Sequence, residues 1–484
     1  MLVMALDIGT SSARAACFDA EARPLPGAEG RVSYTARTAP DGEVVLDPDA
    51  LVSAVAQAVD AALAGAGPRA REIAGVGASV FWHSLLALDA AGRPLLPVLT
   101  WADTRSAAAA DALRARLDGR GIHARTGALL HASYYPARLA WLRASRPDLM
   151  AQAVTWCGFA EYLLQRLTGA LRSSVSMASG TGLFDQHRQA WDGPLLAESG
   201  LVLDRLPPID DTPAPGLARE WAARWPALAR VPWFPGWGDG GCSNLGSDCA
   251  GSDRIALNVG TSAALRLVAH DAPAAPNGLW RYQIDRKRPL VGGATSEGGN
   301  VLAWARSVLA LPDDEALEAA LAARAPDRHG LTALPFLAGE RSPGWRADAR
   351  ATLAGLSLAT GPLDLVTALL ESVALRLSLV YERLAPLATR DHLVVASGGA
   401  LAHSPAWTRM LADALGHPLT MSDEAEASSR GAALRVLEGL GAPAPPPVGL
   451  GATIAPDAGR HAVYAEARQR QSRLYDNVVG PSLS

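Results

Sequence analysis

The chain has 484 residues, 49% hydrophobic and 19% charged, with a formal net charge of −4. It is too long for one hydrophobic core, so two domains are expected. The acidic balance argues against a nucleic-acid or anionic-membrane partner, and no apolar run reaches the roughly 18 residues of a spanning helix.

Leu2 to Leu6 reads as a buried strand that runs into Asp7-Ile8-Gly9-Thr10-Ser11-Ser12-Ala13-Arg14. Apolar residues resume at Ala15, Ala16, Cys17 and Phe18, so the chain is expected to turn back as a hairpin. Gly9 lets such a turn present backbone N–H groups to a ligand, and Thr10, Ser11 and Ser12 add hydroxyls. Asp7 is placed to hold a cation. The set suits a Mg-bound phosphate chain; an ordinary hairpin with a polar tip would use the same residues. An acid and a glycine break this first apolar run, and Cys17, Cys157, Cys242 and Cys249 show no CxxC spacing. A reducing cytoplasm is expected from both.

Asp49 is expected to cap an amphipathic helix carrying Leu51, Val52, Val55, Val59 and Leu63. Ile73 to Val80 reads as a strand ending in Phe81-Trp82-His83-Ser84. Val98-Leu99 leads through Trp101-Ala102-Asp103-Thr104-Arg105-Ser106 into an Ala-rich helix. Helices are expected from Tyr134 and from Phe159, and a loop over Ser173 to Asp185. Prolines and tryptophans crowd residues 204–236, a composition typical of a domain edge. Trp237-Gly238-Asp239-Gly240 follows and is read as the hinge, giving domains 1–246 and 247–484.

The second half repeats the first motif. Leu257-Asn258-Val259-Gly260-Thr261-Ser262 matches the first loop, with Asn258 where Asp7 stands. One carboxylate is enough for one metal, so the neutral copy fits. A duplicated domain with a cleft between the copies follows as an expectation, each copy offering one phosphate-binding hairpin. Gly292 to Gly299 leads into a helix, Pro362 to Leu384 is a long helix, and strand Leu393 to Ala396 opens through Ser397-Gly398-Gly399-Ala400 into another. That last strand–Gly-loop–helix is suited to a nucleotide. The chain contains one lysine, Lys287. A P-loop and a protein-kinase fold each need a lysine elsewhere, so both are excluded.

The two-loop arrangement resembles the sugar kinase/Hsp70/actin ATPase superfamily, and within it the FGGY carbohydrate kinases. Ala351-Thr352-Leu353-Ala354-Gly355-Leu356 with Asp364 to Glu371 looks like that family's C-terminal signature; Leu369 is a mild departure. Arg138, ahead of Leu139 and Trp141, stands where the family usually has lysine. Ser176 to Asp185 is also similar to the family. The resemblance implies an α/β fold with two RNase H-like, actin-like ATPase domains, and ATP and Mg2+ as cofactors. It implies a small sugar or sugar acid as partner, with no nucleic acid or membrane, and leaves room for a homodimer. Asp239 would be the catalytic base and, with His83, Trp101 and Asp103, would contact the sugar. Asp7 would act through Mg2+. Gly9, Thr10, Ser11, Arg14, Gly260 and Thr261 would hold phosphate; Gly299, Gly398, Gly399 and Ala400 would line the adenosine pocket. His403 stands where some relatives place an asparagine.

Each assignment has a structural alternative. Asp239 could sit in a plain Asp-Gly turn, His83 in the core, Asp103 at a helix cap, and Glu340 and Arg341 in an ion pair. The Trp101 to Ser106 segment, His83-Ser84 and Gly292 to Gly299 look like the gluconokinase branch, which implies D-gluconate phosphorylated at its terminal hydroxyl. Xylulokinase or another pentulose or polyol kinase is the alternative; an actin- or Hsp70-like ATPase is the reading from another class. Arg105 and Arg341 are the candidate receptors for a substrate carboxylate.

Overall fold

The first hairpin forms as its pattern requires. In the computed structural model, which describes residues 1–272 and 274–480, β1 (Leu2–Ile8) pairs antiparallel with β2 (Ser12–Asp19), and Asp7 faces Arg14. β3 (Pro24–Ser33) extends the sheet beyond β2. β4 (Ile73–Val80) and the short β5 (Trp237–Gly238) add on the other side, giving the order β5-β4-β1-β2-β3. β1, β4 and β5 are parallel, with Asp7 and Trp237 both opposite Ser79.

The chain divides into two compact units. One comprises Met1–Asp248, Arg281–Leu290 and Glu426–Pro447; the other comprises Cys249–Trp280, Val291–Ala425 and Val448–Ser484. Sequence order suggests one cut near residue 246. The two later returns to the first unit have no signal in local composition, because they arise from packing. Helix Ala427–Gly439 lies against helix Asp239–Gly246, and its Val436 reaches Gly75 and Gly77 of β4. The segment read as a hinge is therefore an ordered strand and helix inside the first unit's core, alongside Val3, Ala5 and Phe18.

The helix expected to start at Asp49 spans Pro48–Ala66 and is capped by Asp47, whose Oδ1 accepts the Ala50 N–H at 2.8 Å. Pro48 lacks an N–H and fits the first helical position, which puts the cap at Asp47, two residues upstream of Asp49. With its extension to Glu72 this helix is apolar and long enough to cross a membrane by composition, although the sequence reading found no such run. Leu51, Val55 and Val59 are buried in the first unit. Ser173 to Asp185 also departs from the expected loop, since Val175–Ser179 is helical with Ser174 as its cap.

In the second unit, β6 (Arg254–Val259) and β7 (Ala263–Val268) repeat the hairpin. β8 (Trp280–Gln283), β9 (Pro289–Thr295), β10 (Leu393–Ser397), β11 (Leu419–Ser422) and β12 (Leu450–Ile454) complete a sheet of order β8-β9-β7-β6-β10-β11-β12, of which residues 281–283 and 289–290 belong to the first unit. β10 is parallel to β6, and Asn258 lies opposite Ser397 as Asp7 lies opposite Ser79. Leu257, Val259 and Leu265 form the core with Val373, Leu377 and Trp407. The long helix is Pro362–Leu384, as expected. The helix expected to run from Ala400 to Leu415 is broken by Ser404-Pro405 into Gly399–Ala402 and Pro405–Leu415, because Pro405 starts the second piece and Ser404 caps it.

The helix pair of the first unit depends on close backbone approach. A Cβ on Gly431 would lie 1.9 Å from the Cys242 carbonyl oxygen. Gly431→Ala must push the two helices apart and should lower stability by about 2–4 kcal/mol, as overpacking does. Gly193→Ala, with nothing within 4 Å of its Cβ, should be neutral. Urea denaturation of both variants checks this, and equal midpoints would refute it.

Candidate active site

Three parallel strands of the first unit deliver functional groups at one edge. β1 ends in Asp7 and the Gly9 turn, β4 ends in Phe81-Trp82-His83, and β5 ends in Asp239. The carboxyl ends of parallel strands are where α/β sheets bind ligands, since the polypeptide must leave the sheet there.

The Gly9 turn is closed by the Gly9 N–H donating to Ser12 O at 3.0 Å. The Tyr34 hydroxyl donates to Gly9 O at 2.7 Å. Burial, above all, with the carboxylates of Asp239 and Glu426, pushes the Asp7 carboxyl up to about 6. Arg14, expected at phosphate, forms an ion pair with Glu426. Thr10 is half-buried and Ser11 exposed.

Asp239 begins a helix, half-buried, and its Oδ1 accepts the Gly240 N–H at 2.8 Å. The residue before it is fixed tightly. A Cβ on Gly238 would fall 1.8 Å from the Trp82 ring, and the Gly238 N–H donates to Ser176 Oγ at 3.0 Å. Trp82 is itself tied down, its Nε1–H donating to Ser176 O at 3.0 Å. The Ser176 segment therefore sets the position of Asp239.

His83 has φ of 63°, a left-handed conformation costly for a side chain of this type and often found at functional sites. Its Nδ1 lies 2.6 Å from Gly180 O, so Nδ1 carries the proton and Nε2 is the acceptor in the neutral ring. Tyr134 and Tyr282 pack edge-on against the ring, at 5.1 and 5.5 Å between centroids, and their hydroxyls are hydrogen-bonded. Neither tyrosine carries a sequence signal, because they lie far apart in the chain. Arg138 is buried and donates to the carbonyls of His83, Thr100 and Ala132. Its charge is used to pin three loops, and burial lowers its pKa to about 10.

Trp101 is half-buried, and its carbonyl accepts from Ser133 Oγ at 2.9 Å. Asp103 is buried, and its carboxylate takes Arg105 Nη2 at 2.7 Å and the Val44 N–H at 3.2 Å. Arg105 also reaches Glu43 at 2.9 Å and lies over the Trp141 ring. The structure thus commits Asp103 and Arg105 to each other, bracing the loop that carries Trp101.

The second unit holds the other half of the expected residues. Gly260 N–H closes its turn on Ser262 O at 3.0 Å, one residue shorter than the Gly9 turn. Gly299 N–H donates to Gly260 O at 2.7 Å, and Asn300 N–H to Thr261 O at 3.2 Å. Gly398 has φ of 104°, with its Cβ position 2.4 Å from Val259 O, so only glycine fits. A pocket of about 660 Å3 runs from Gly260, Thr261 and Gly299 past Gly399 and Ala400 to Leu302, Leu317 and Leu321. Its lining joins these glycine-turn residues and leucines with Arg306, Asp314 and Glu318, a mix of polar and apolar groups that suits a nucleotide. His403 lines it, with Nδ1 2.6 Å from Gly399 O.

A further group of possible metal donors, Asp327, His329 and Glu371, lies in the second unit. His329 Nδ1 accepts the Leu331 N–H at 3.0 Å, which leaves Nε2–H to donate to Glu371 at 3.0 Å. Arg470 pairs with Asp327, and the Tyr464 hydroxyl donates to Glu371. The group is already saturated by protein contacts.

Comparison with known proteins divides the chain in sequence order. Residues 2–246 match the N-terminal domain model of the FGGY family of carbohydrate kinases, and residues 255–437 match the C-terminal one. A gluconokinase from Bacillus subtilis (strain 168) is 27% identical over 454 residues, 91% of this chain and 88% of that protein. The crystal structure of a gluconate kinase from Lactobacillus acidophilus superposes with a TM-score of 0.88 at 24% identity, covering 98% of both chains. A ligand-bound xylulose kinase from Lactobacillus acidophilus superposes equally well, at 0.88 and 24%, over 99% of this chain and 98% of that one. The structural likeness is one of fold.

Asp239→Asn keeps the shape of this corner and removes a base. It should leave the circular dichroism spectrum intact and lower phosphoryl transfer by about 10²–10⁴-fold. Turnover within a few-fold of the parent would exclude Asp239 as the base.

Proposed function

This chain belongs to the FGGY family of carbohydrate kinases and is an ATP-dependent sugar kinase; we propose that it transfers the γ-phosphoryl group of ATP to the terminal hydroxyl of D-gluconate, giving 6-phospho-D-gluconate. The observation that carries the transfer is Asp239, a half-buried carboxylate fixed through Ser176 at the same strand edge as Asp7 and His83. Asp239 takes the proton of the acceptor hydroxyl as the phosphoryl arrives. The amides of the Gly260-Thr261 turn are suited to the phosphates and the Leu302, Leu317 and Leu321 side chains to the base, and the Gly9 turn of the first unit is the other candidate phosphate loop. His83 Nε2 and Trp101 orient the acceptor.

The Asp7 corner suits a divalent cation. Burial above all, and the Asp239 carboxylate, raise the cost of ionising Asp7, a cost that a bound cation offsets. Mg2+ bound there would neutralise charge on the phosphates. Protonation competes with the cation at Asp7. Apparent Mg2+ affinity, read from initial rates across Mg2+ concentrations, should therefore weaken as pH falls from 7 to 5, through about 6 for the Asp7 carboxyl. An affinity flat over that range would remove Asp7 from the metal's ligands.

Gluconate is supported by the Trp101 to Ser106 and His83-Ser84 segments and by the gluconokinase relatives that span most of the chain. A neutral ketose is the second reading, and one observation favours it: Arg105 is spent on Asp103 and Glu43. Measured kcat/KM for D-gluconate should exceed those for D-xylulose, L-ribulose, glycerol and erythritol by tenfold or more, about 1.4 kcal/mol of discrimination. A tenfold lead for any neutral sugar would replace gluconate and leave the kinase assignment standing.

A further inference from the structure

Thr295 to Asn300 form the turn that docks on the Gly260-Thr261 turn. It does so through the Gly299 and Asn300 N–H groups, and it is held internally by Asn300, whose side chain bonds Gly298 N and Ser296 O. Within this turn Glu297 is 2% exposed. Its Oε1 accepts the Ala338 N–H at 3.3 Å, which joins the turn to the Leu334 to Arg341 loop.

A second carboxyl, Glu340, is buried in the same region. It takes the Tyr475 hydroxyl at 2.6 Å, the Gly344 N–H at 3.1 Å, and Arg376. Arg376 is itself buried between the rings of Phe336 and Tyr475. The charged groups acting on Glu297 are thus Glu340 and Arg376, one of each sign, and Arg376 is bound to Glu340. The half-buried Arg341 sits next to Glu340 in the chain. With the guanidinium held by Glu340, Glu297 is the carboxyl that burial forces to stay neutral.

We propose that Glu297 is a positioning residue, whose neutral carboxyl clamps the 295–300 turn to the Leu334 to Arg341 loop and so holds the Gly260-Thr261 turn for the nucleotide phosphates. Burial, reinforced by Glu340, pushes its carboxyl up to about 8. Raising pH through 8 strengthens the Ala338 contact but sets a second carboxylate charge against Glu340 of the facing loop in a buried region, and that repulsion loosens the turn. The phosphate link rests on the proposed nucleotide site; the state of the carboxyl does not.

Glu297→Gln keeps the shape and removes the titration, and the experiment compares it with the parent in two arms. Infrared difference spectra of the parent between pH 7 and 9 should lose a protonated-carboxyl band that Glu297→Gln lacks. The KM for ATP of the parent should rise at least threefold from pH 7 to 9, and that of Glu297→Gln should stay within its pH 7 value. Absence of the band in the parent overturns the neutral carboxyl, and needs no variant to fold. A band with no rise in KM, or the same rise in Glu297→Gln, overturns the positioning role. Failure of ATP to bind the parent at all would instead count against the nucleotide site itself.

Unfolding gives an independent check with a defined sign. A carboxyl held at about 8 in the native state and near 4.5 when unfolded favours the native state below pH 4.5 and loses that contribution up to pH 8. The parent's Tm should fall relative to Glu297→Gln between pH 5 and 8 and run parallel above it. Parallel curves throughout would refute the assignment.

Discussion

Parallel pairing of β4 with β1 is the constraint from which the rest of the first unit's site follows. Its register sets Asp7 opposite Ser79, and β5 joins with Trp237 opposite the same serine. Three strand ends then open at one level, and the residues just beyond them cannot be elsewhere. The Gly9 turn, His83 and Asp239 are neighbours because hydrogen bonds between strands fix their stagger. A one-residue slip would also turn the strands' side chains to the opposite faces and bury the wrong ones.

The second unit uses the same construction with different chemistry. Its hairpin and parallel strand repeat the register with Asn258 opposite Ser397, and Asn258 Nδ2 donates to Ser397 Oγ at 3.1 Å. An amide there needs no counter-ion, so this corner is a neutral brace beside the glycine turn. The first unit keeps the carboxylate and accepts the cost of burying it. The two units thus present two similar glycine turns, one beside a carboxylate and one beside an amide.

Buried arginines are used in two ways. Arg138 spends its donors on three carbonyls, an arrangement that fixes loops. Arg105 and Arg376 instead neutralise buried carboxylates, Asp103 and Glu340. Glu340 therefore pairs with Arg376 on the long helix, not with its neighbour Arg341 as the sequence suggested. Such pairs add less to stability than their Coulomb energy, because desolvation offsets it, but they specify geometry closely.

Much of this molecule was legible in its sequence. The apolar runs, the repeated Asp/Asn-x-Gly-Thr turn and the Ser-Gly-Gly loop identified both hairpins, the long helix and most of the groups that surround the site, because each is set by local periodicity or by glycine's freedom. Other features depended on partners distant in the chain. The Asp103 carboxylate accepts from Arg105 and the Val44 N–H, partners that its place in the sequence did not show. The segment read as a hinge flanks core: Trp237 and Cys242 pack with Val436 and Leu437 of helix Ala427–Gly439, and Asp239 between them is half-buried. Tyr134 and Tyr282 met around His83 from positions 148 residues apart. The burial that pushes the Glu297 carboxyl up came from the packing of the 295–300 turn against the Leu334 to Arg341 loop. Sequence determines which groups a strand or turn can present; only tertiary packing decides which of them are already satisfied, because desolvation and hydrogen-bond partners come from the whole chain.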